Sequence, residues 1–408
     1  MDEIKLSGFC DLRFTKIKDL LEESLASGFD TGVSIAIEHK GEMVVNLTGG
    51  YKDLDKTEPW NEDTILNVFS TTKAVTAICV AKLIDQGKLD ISKNVSEYWP
   101  EYACNGKENT KVSDFMCHRA GMFGFQEGIP DLKFADWDSW VAVLEKQKPF
   151  REPGTSQGYH ALTYGWLVGE ILRRVDGRSV GQFFEEEIAR PLSIDFKIGL
   201  NQEDIQRCTN ILADDRSESL VLKLIPYIPD FFLPKQLKVL KELLKGGDYQ
   251  VAFETFDPDQ DYVHSDDWRK AEIPSANGHG TAESLAKLFG ILSNGCQRDG
   301  VTIMSEQTLH KCLQPLSKGP DTVLFGAEIN FGVGFDLGLG ITTIGQPSHP
   351  KTLFGHCGIG GCVAFGDVEN NLGFGFLCNR MHKPQELYKT SNAITSLLYE
   401  TIQENRNE

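Results

Sequence analysis

Long apolar runs are missing from this sequence. The longest largely apolar stretch, from Ala74 to Ala81, is far shorter than the ~20 residues that a helix needs to cross a bilayer. The first residues are acidic and lack the apolar segment of a signal peptide, and the last residues match no lipidation or retention signal. We therefore expect a cytoplasmic protein without a membrane span.

The sequence also lacks C-x-x-C and H-x-x-x-H pairs. Its ten cysteines stand at irregular spacing, and we interpret them as reduced thiols because we expect no export signal. The nine histidines are scattered, and no glycine-rich loop ends in the Lys-Ser or Lys-Thr of a phosphate-binding loop. These absences argue against a metal site and against a cofactor.

Basic residues are few relative to acidic ones. The chain has 41 lysines and arginines against 59 aspartates and glutamates, which gives a formal net charge of −18. So acidic a surface disfavours nucleic acid and anionic membranes as partners. The length of 408 residues favours two closely packed subdomains over one simple core. No pattern in the sequence indicates an oligomeric state.

Strands are predicted at both ends of the chain and helices in the middle. Residues 32–51 alternate in polarity around a turn at Lys40-Gly41, which predicts a hairpin, and glycine-rich strands are predicted after residue 328. This order favours an α+β fold, with an antiparallel sheet flanked by helices and an inserted, mainly helical domain. We expect the sheet domain to comprise residues 1–65 and 272–408, and the helical domain residues 66–271.

Residues 216–270 fit neither pattern. The segment is hydrophobic, is broken by three prolines and then continues as a short basic helix, so we interpret it as a lid-like insertion. Its apolar side chains, Ile225, Phe231, Phe232 and Leu233, suggest an acyl pocket. A lid that is packed purely as structure explains them equally well.

The segment "FSTTKAVTAICVAKLIDQG" places Lys73 in the first turn of a helix that starts at Ser70. A capping box needs Glu or Gln at that position, and a cation is disfavoured at the positive end of the helix dipole. The rest of the helix is apolar on nearly all sides, so we expect it to be buried and the pKa of Lys73 to fall. A neutral amine there can take the Ser70 proton, and the free Ser70 N–H can donate to an oxyanion. The alternative is an N-cap serine beside a lysine that reaches solvent.

The S-x-x-K pattern is weak by itself because it occurs three times. Ser348 and Lys351 enclose Pro350, which disfavours a helical turn, and Ser284 falls inside a helix that begins near Thr281. Ser70 alone combines a helix start, an apolar helix and a lysine on the facing turn.

Two further residues, Tyr159 and His356, are candidates because of the segments in which they lie. Tyr159 lies in a short connection before a helix from about Tyr164, where it can move protons if a cation lowers its pKa. His356 precedes a glycine-rich strand, whose backbone a substrate can approach closely. Taken alone, each is better explained as a structural residue.

These pieces, in this order, resemble the serine β-lactamase and penicillin-binding-protein superfamily. The resemblance is closest to its class C-like branch, with family VIII carboxylesterases and eukaryotic β-lactamase-domain proteins. The segments that carry it are "TILNVFSTTKAVTA", "KVSDFMCHRAGM", "EPGTSQGYHALTYGWLVGEIL", "IPSANGHGTAESLAKLFGILSNG" and "FGHCGIGGCVAF". It covers nearly the whole chain and implies a β-lactamase/transpeptidase-like fold.

The resemblance also implies roles for single residues. Ser70 is expected to be the acylated nucleophile, and Lys73 to take its proton. Tyr159 is the shared base or the proton donor to the leaving group. His356 stands where the family usually has lysine, and can bond to Tyr159 or orient the substrate. Ser70, Gly358 and Ile359 are expected to form the oxyanion and substrate-binding backbone, with the Ile359 N–H as the second donor.

This sequence departs from the β-lactamase pattern at two places. Ala161 replaces an asparagine, and His356-Cys357-Gly358 replaces Lys-Thr-Gly. Both changes remove groups that would hold the amide and carboxylate of a β-lactam. We therefore expect a serine hydrolase that forms an acyl-enzyme with a small ester or amide substrate. The alternatives are β-lactamase, D-amino-acid peptidase or acyltransferase activity, and a non-enzymatic scaffold on the same fold.

Other nucleophiles are less well supported. "GRSVG", from Gly177 to Gly181, matches the G-x-S-x-G elbow, but the residues before it have helical spacing and Ser179 with Gln182 fits a capping box. Cys117 lies beside His118. Cys357 lies beside His356, but adjacent strand residues point to opposite faces.

Overall fold

The computed structural model describes residues 6–128, 131–213, 229, 231, 247–253, 261–342 and 350–407. The strands in these ranges are β1 (Ser7–Cys10), β2 (Gly32–His39), β3 (Glu42–Gly50), β4 (Leu66–Asn67), β5 (Phe196–Ile198), β6 (Leu212–Ala213), β7 (Gly278–Gly280), β8 (Gln297–Arg298), β9 (Val301–Thr302), β10 (Ser317–Asp321), β11 (Ala327–Phe331), β12 (Asp336–Leu337), β13 (Leu353–Cys357), β14 (Val363–Asp367), β15 (Leu372–Cys378) and β16 (Arg380–Met381). The helices are α1 (Thr15–Ser27), α2 (Thr71–Asp85), α3 (Val112–Met116), α4 (Trp137–Lys146), α5 (Thr163–Asp176), α6 (Val180–Phe184), α7 (Gln202–Arg207), α8 (Asp248–Phe253), α9 (Asp266–Lys270), α10 (Ala282–Ser293), α11 (Glu306–Cys312) and α12 (Lys389–Asn407).

A nine-stranded sheet joins the two ends of the chain. Its strand order is β1-β3-β2-β15-β14-β13-β12-β11-β10, and all neighbouring strands are antiparallel. The predicted hairpin is confirmed as β2 and β3, with positive φ at both Lys40 and Gly41, as a tight two-residue turn requires. The hairpin joins the later strands through β15, where Phe374 lies opposite Ile37. The predicted α+β class and antiparallel sheet are therefore confirmed.

Helices cover both faces of this sheet. On one face, α1 and α12 pack on a core that includes Val33, Ile35 and Ile37 of β2. On the other face, α10 packs on β2, β14 and β15. Gly373 makes that approach possible, because a Cβ there would lie 2.0 Å from the backbone oxygen of Ala286. The sheet thus becomes the middle layer between two helical layers.

Helix α2 occupies the centre of the molecule. Residues from Thr71 to Leu83 are buried, and the helix packs on α5, α6, α11 and β13. It follows directly after β4, which pairs with β7 in a separate antiparallel sheet of three strands. The expected burial of this helix is confirmed, while the domain boundaries given above stay a prediction.

Several local predictions differ from the structure or lie outside it. The sequence predicts a last helix from about Pro384 to Gln403, whereas in the structure it starts at Lys389 and ends at Asn407. The helix after Ser179 continues as a π-helical turn over Glu185–Ala189. The predicted lid over residues 216–270 lies mostly outside the described residues, and its only described apolar side chain among those singled out, Phe231, is exposed. Three apolar residues of the lid, Ile225, Phe232 and Leu233, lie outside the described ranges, and so does Ser348 farther along the chain.

All ten cysteines are free thiols, as expected from their spacing. Within the described ranges, every helix is too short or too polar to cross a bilayer.

The contact between α10 and β15 predicts a large stability cost for one added methyl group. We expect Gly373→Ala to lower the free energy of unfolding by about 2–3 kcal/mol, because the new Cβ meets backbone atoms that cannot rotate away. Gly300→Ala is the control, since Gly300 has a positive φ of 78° but open space around its Cβ position, and we expect it to cost about 1 kcal/mol. Urea denaturation of both variants measures the difference. Equal midpoints would show that α10 moves away from the strand at little cost.

Candidate active site

Ser70 lies at a sharp turn between β4 and α2. The residue before it, Phe69, has a φ of 47°, which is rare for a bulky side chain and marks local strain. Ser70 itself is helical in φ and ψ, and its side chain makes no capping hydrogen bond. Ser70 therefore occupies the N-cap position, as the alternative expects, but its side chain does not cap the helix and the hydroxyl is left for another use. Among the described residues, its backbone N–H has no acceptor.

Lys73 extends from the next turn of α2 toward Ser70. Its side chain is 0% exposed, so the alternative of a lysine that reaches solvent is also wrong. Its Nζ lies 2.7 Å from the carbonyl oxygen of Ala161, 2.9 Å from that of Ser275 and 3.0 Å from Ser70 Oγ. Carbonyl oxygens only accept hydrogen bonds, so they use two N–H groups of the amine. In the neutral amine, the third direction is a lone pair that faces the Ser70 hydroxyl.

Burial lowers the pKa of Lys73 well below its ordinary value of 10.5, and a smaller effect from Cys357 opposes this. The amine also lies 4.9 Å from the centroid of the Tyr159 ring and 5.9 Å from that of Tyr164. Within the described residues, no carboxylate forms an ion pair with Lys73. The ring faces attract a cation, but burial without a carboxylate partner has the larger effect and favours the neutral amine that the sequence predicts.

Tyr159 is placed beside Ser70 and Lys73, but its electrostatics differ from the prediction. Burial raises the pKa of its phenol well above the usual value, and a hydrogen bond with Ser70 opposes this only in part. The condition under which the sequence allowed Tyr159 to move protons, a pKa lowered by a cation, is therefore not met. The phenol stays protonated at neutral pH and can donate a proton. Its backbone is held by Asp321, whose Oδ1 accepts the Tyr159 N–H at 3.1 Å.

His356 lies on β13 with its ring 5.9 Å from the Tyr159 ring, measured between centroids. Its Nδ1 lies 2.8 Å from the backbone oxygen of Cys357, so Nδ1 carries the proton and Nε2 is an acceptor. Burial, reinforced by Lys73, lowers its pKa to about 3. Nε2 is buried without a partner in the described structure. A neutral imidazole thus stands where the resemblance described above implies a lysine.

The turn after β13 lies against the strand-to-helix turn that carries Ser70. A Cβ on Gly358 would lie 2.2 Å from the backbone oxygen of Val68, so only glycine permits this contact. The Gly358 N–H donates to the Cys362 carbonyl at 2.7 Å and is not available to a substrate. Gly358 is therefore not an oxyanion donor in this structure. The Ile359 N–H has no acceptor among the described residues, in agreement with its predicted role.

Two histidines that the sequence did not single out for this site complete its surroundings. The His118 ring lies 4.7 Å from the Tyr159 ring, between centroids, and its Nδ1 accepts the His160 N–H at 3.1 Å. His160 in turn accepts the Met122 N–H through Nε2 at 3.1 Å. Burial lowers the pKa of both imidazoles. In the sequence, only the position of His160 next to Tyr159 could have suggested that histidines surround the site.

The rival nucleophiles lack the necessary chemistry. Burial raises the pKa of Cys117 to about 12 and that of Cys357 further, so both thiols stay protonated. Cys357 packs into the core on the face of the sheet opposite to the Tyr159 contact of His356.

Ser179 is a helix cap, as predicted, and α5 rather than a strand precedes it. Its Oγ accepts the Gln182 N–H at 3.2 Å and donates to Glu272 at 2.6 Å. The Gln182 side chain bonds to Glu186, so the predicted capping box is not closed. Ser284 lies inside α10, where its N–H donates to the Thr281 hydroxyl.

The burial of Lys73 predicts how the reactivity of Ser70 depends on pH. A protonated amine cannot accept the serine proton, so phosphonylation of Ser70 by a fluorophosphonate should rise with pH through the Lys73 pKa and stay level above it. Since burial lowers that pKa, we expect the level region to begin well below pH 10.5. Lys73→Met should slow the reaction by about 10²–10⁴-fold.

Lys82→Met is the matched control for this measurement. Lys82 lies on the same helix, is also buried and also donates to two carbonyl groups, but these belong to Thr302 and Ile303. The control should retain the rate and pH profile of the parent protein. A rate that still rises near pH 10.5 would mean that Lys73 is charged at neutral pH.

This chain is similar to several known proteins over most of its length. The protein is 29% identical over 384 residues to the esterase/beta-lactamase LipL of Mycobacterium tuberculosis (strain ATCC 25618 / H37Rv), which covers 93% of this chain and 84% of LipL. A family VIII carboxylesterase superposes with a TM-score of 0.82 at 31% identity, over 98% of this chain and 100% of that one. A penicillin-binding protein homologue from Caulobacter crescentus has a TM-score of 0.81 at 31% identity, over 97% and 100% of the two chains.

These structures confirm the β-lactamase/transpeptidase-like fold that the resemblance implied. The model of the family named Beta-lactamase matches residues 17–397. Because that match spans nearly the whole chain, this protein belongs to the Beta-lactamase family.

Proposed function

We propose that this protein is a serine hydrolase that cleaves a small ester or amide substrate through an acyl-enzyme on Ser70. The observation that carries the proposal is the 3.0 Å contact between Ser70 Oγ and a fully buried Lys73 amine. A neutral amine at that distance is a base for a hydroxyl that is otherwise a weak nucleophile.

In the first half of the reaction, Ser70 Oγ attacks the substrate carbonyl carbon and its proton passes to Lys73. The N–H groups of Ser70 and Ile359 hold the oxyanion that forms. When the bond to the leaving group breaks, the neutral phenol of Tyr159 gives a proton to the leaving group and regains one from Lys73. The net result is transfer of the Ser70 proton to the leaving alcohol or amine.

In the second half, a water molecule attacks the acyl-enzyme carbonyl carbon while Lys73 takes a proton from that water. The bond from the carbonyl carbon to Ser70 Oγ then breaks, and Oγ recovers that proton as the acid leaves. The high pKa of Tyr159 and the low pKa of Lys73 support this division of roles, with Lys73 as the base and Tyr159 as the acid.

We further propose that esters are preferred to β-lactams. A β-lactam carries a carboxylate beside its amide, and His356 offers this carboxylate a neutral ring with a lone pair instead of a cation. The similarity to LipL and to a family VIII carboxylesterase supports ester cleavage, while the name of LipL keeps β-lactam hydrolysis as the second candidate. We also propose a reducing compartment such as the cytoplasm, which the ten free thiols support.

The role of Ser70 is tested with a fluorophosphonate probe and with p-nitrophenyl esters of increasing chain length. Ser70→Ala should abolish both labelling and hydrolysis. Ser179→Ala should retain both, because Ser179 only caps α6 and bonds to Glu272. Hydrolysis that survives in Ser70→Ala would refute the proposal, and absence of labelling in the parent protein would favour a non-enzymatic scaffold.

The role of Tyr159 is tested by the leaving group. p-Nitrophenolate leaves without a proton, whereas an alkoxide needs one. We therefore expect Tyr159→Phe to slow hydrolysis of an ethyl ester by about 10²-fold but that of a p-nitrophenyl ester far less. Equal losses for both esters in steady-state kcat/KM would make Tyr159 the base instead.

The substrate class is tested by comparing p-nitrophenyl acetate, nitrocefin and D-amino-acid amides. A missing charged contact is worth about 2–5 kcal/mol, so we expect kcat/KM for the ester to exceed that for nitrocefin by about 10²-fold or more. A preference for D-amino-acid amides would identify the protein as an amidase rather than an esterase.

A further inference from the structure

The peptide unit between Gly358 and Ile359 is hydrogen-bonded through its carbonyl oxygen only, among the described residues. Its carbonyl oxygen, on Gly358, accepts a hydrogen bond from the hydroxyl of Tyr388 at 3.2 Å and another from the Gly361 N–H at 2.9 Å. Its N–H, on Ile359, has no acceptor among the described residues. One end of this peptide is therefore fixed and the other is left open.

A trans peptide is planar, and its C=O and N–H bonds point in opposite directions. The contacts on the Gly358 oxygen consequently determine the direction of the Ile359 N–H. Gly358 also lies against the backbone oxygen of Val68, and Val68 is two residues before Ser70. The turn and the nucleophile are therefore close together. We propose that Tyr388 is a positioning residue, which aims the Ile359 N–H at the oxyanion formed on the Ser70 adduct. This inference rests on the proposed function.

The composition of the turn explains why such a support is needed. Gly358, Gly360 and Gly361 surround Ile359, and glycine leaves a backbone free to adopt many conformations. Gly361 already has a φ of 94°, which other residues rarely adopt. Without the Tyr388 hydroxyl, the Gly361 N–H would be the one donor left to the Gly358 carbonyl in the part of the chain that the structure describes, and rotation of the peptide plane would misdirect the Ile359 N–H.

Tyr388 is well suited to this task in position and in chemistry. It stands directly before α12, and its own carbonyl accepts the Asn392 N–H at 2.9 Å, which fixes it to the helix start. Burial keeps the pKa of its phenol well above the usual value, so the hydroxyl remains a donor at neutral pH. A donor on the carbonyl also polarises the peptide, which makes the Ile359 N–H a stronger donor in turn.

The variant Tyr388→Phe removes only the hydroxyl. Loss of a whole oxyanion donor costs about 10²–10³-fold in kcat, so we expect a smaller loss of about tenfold for a misdirected one, with KM nearly unchanged. The matched control is Tyr399→Phe. Tyr399 lies on α12, the helix that Tyr388 precedes, and its hydroxyl donates to Asp367. Asp367 is at the end of β14 opposite Leu353, whereas the other end of β14 pairs with Cys357 beside the turn. The control should retain the parent kcat and lose a similar amount of thermal stability.

A second measurement separates positioning from general damage. The parent enzyme should strongly prefer an ester to its thionoester, because sulfur is a poor acceptor for oxyanion donors. Tyr388→Phe should reduce this preference by the same factor as kcat, and should weaken binding of a boronic acid that forms a tetrahedral adduct with Ser70. The Tyr399→Phe control should leave the preference and the boronic acid affinity unchanged.

The outcomes are distinct. Unchanged kcat in Tyr388→Phe, or a lower kcat with an unchanged preference for the ester, overturns the positioning role while the proposed function stands. Ser70→Ala, assayed alongside, tests the function itself. If ester hydrolysis does not depend on Ser70, the proposed function fails and this inference fails with it.

Discussion

The burial of one amine is the constraint on which the rest of the site depends. Lys73 is fully enclosed, and its Nζ bonds to the carbonyl oxygens of Ala161 and Ser275, which come from distant parts of the chain. These acceptors come from the segment after Tyr159 and from the loop before β7, so the amine draws both segments to the start of α2. An ammonium ion at the positive end of a helix, shielded from water, is unfavourable. The same arrangement that joins the segments therefore keeps the amine in its neutral form, which can accept a proton.

The neighbouring groups are neutral for the same reason. Burial holds Tyr159 in its protonated form and holds His118, His160 and His356 in their unprotonated forms. Charge in such a site appears only when a substrate reacts, on the oxyanion and on the amine. The fixed N–H groups then act in surroundings of low dielectric constant, where they stabilise charge far better than they would in water. The neutral resting state also disfavours ligands that bring a charge of their own.

The parts of the site that follow from local chemistry were predictable. Ser70 and Lys73 lie on one apolar helix, so their distance and burial follow from the helical period and the pattern of side chains. The resemblance supplied Tyr159 and Ile359. The raised pKa of Tyr159 could not be predicted, because it depends on burial by residues remote in sequence, including Phe331, whose ring packs on the Tyr159 ring.

Other features depend on three-dimensional contacts that no local pattern encodes. The Gly358 N–H is engaged because the chain returns through Cys362 in a tight turn, and the hydroxyl of Tyr388 reaches that turn from the last helix. The sequence likewise predicted strands at both ends of the chain, but it did not predict their order in the sheet. Pairing of β2 with β15 determines the stacking of the layers, and this pairing required the structure.

That pairing has a consequence for how the molecule is made. Strand β15 lies between β2 and β14 in the sheet, so the first hairpin meets its neighbour only after nearly the whole chain has been synthesised. Contacts between residues so far apart in sequence slow folding, because a long loop must close before they form. A nascent chain released early would carry Ser70 and Lys73 but neither β13 nor the last helix. Such a chain would have no assembled reaction centre, so catalytic competence should appear only late in biosynthesis.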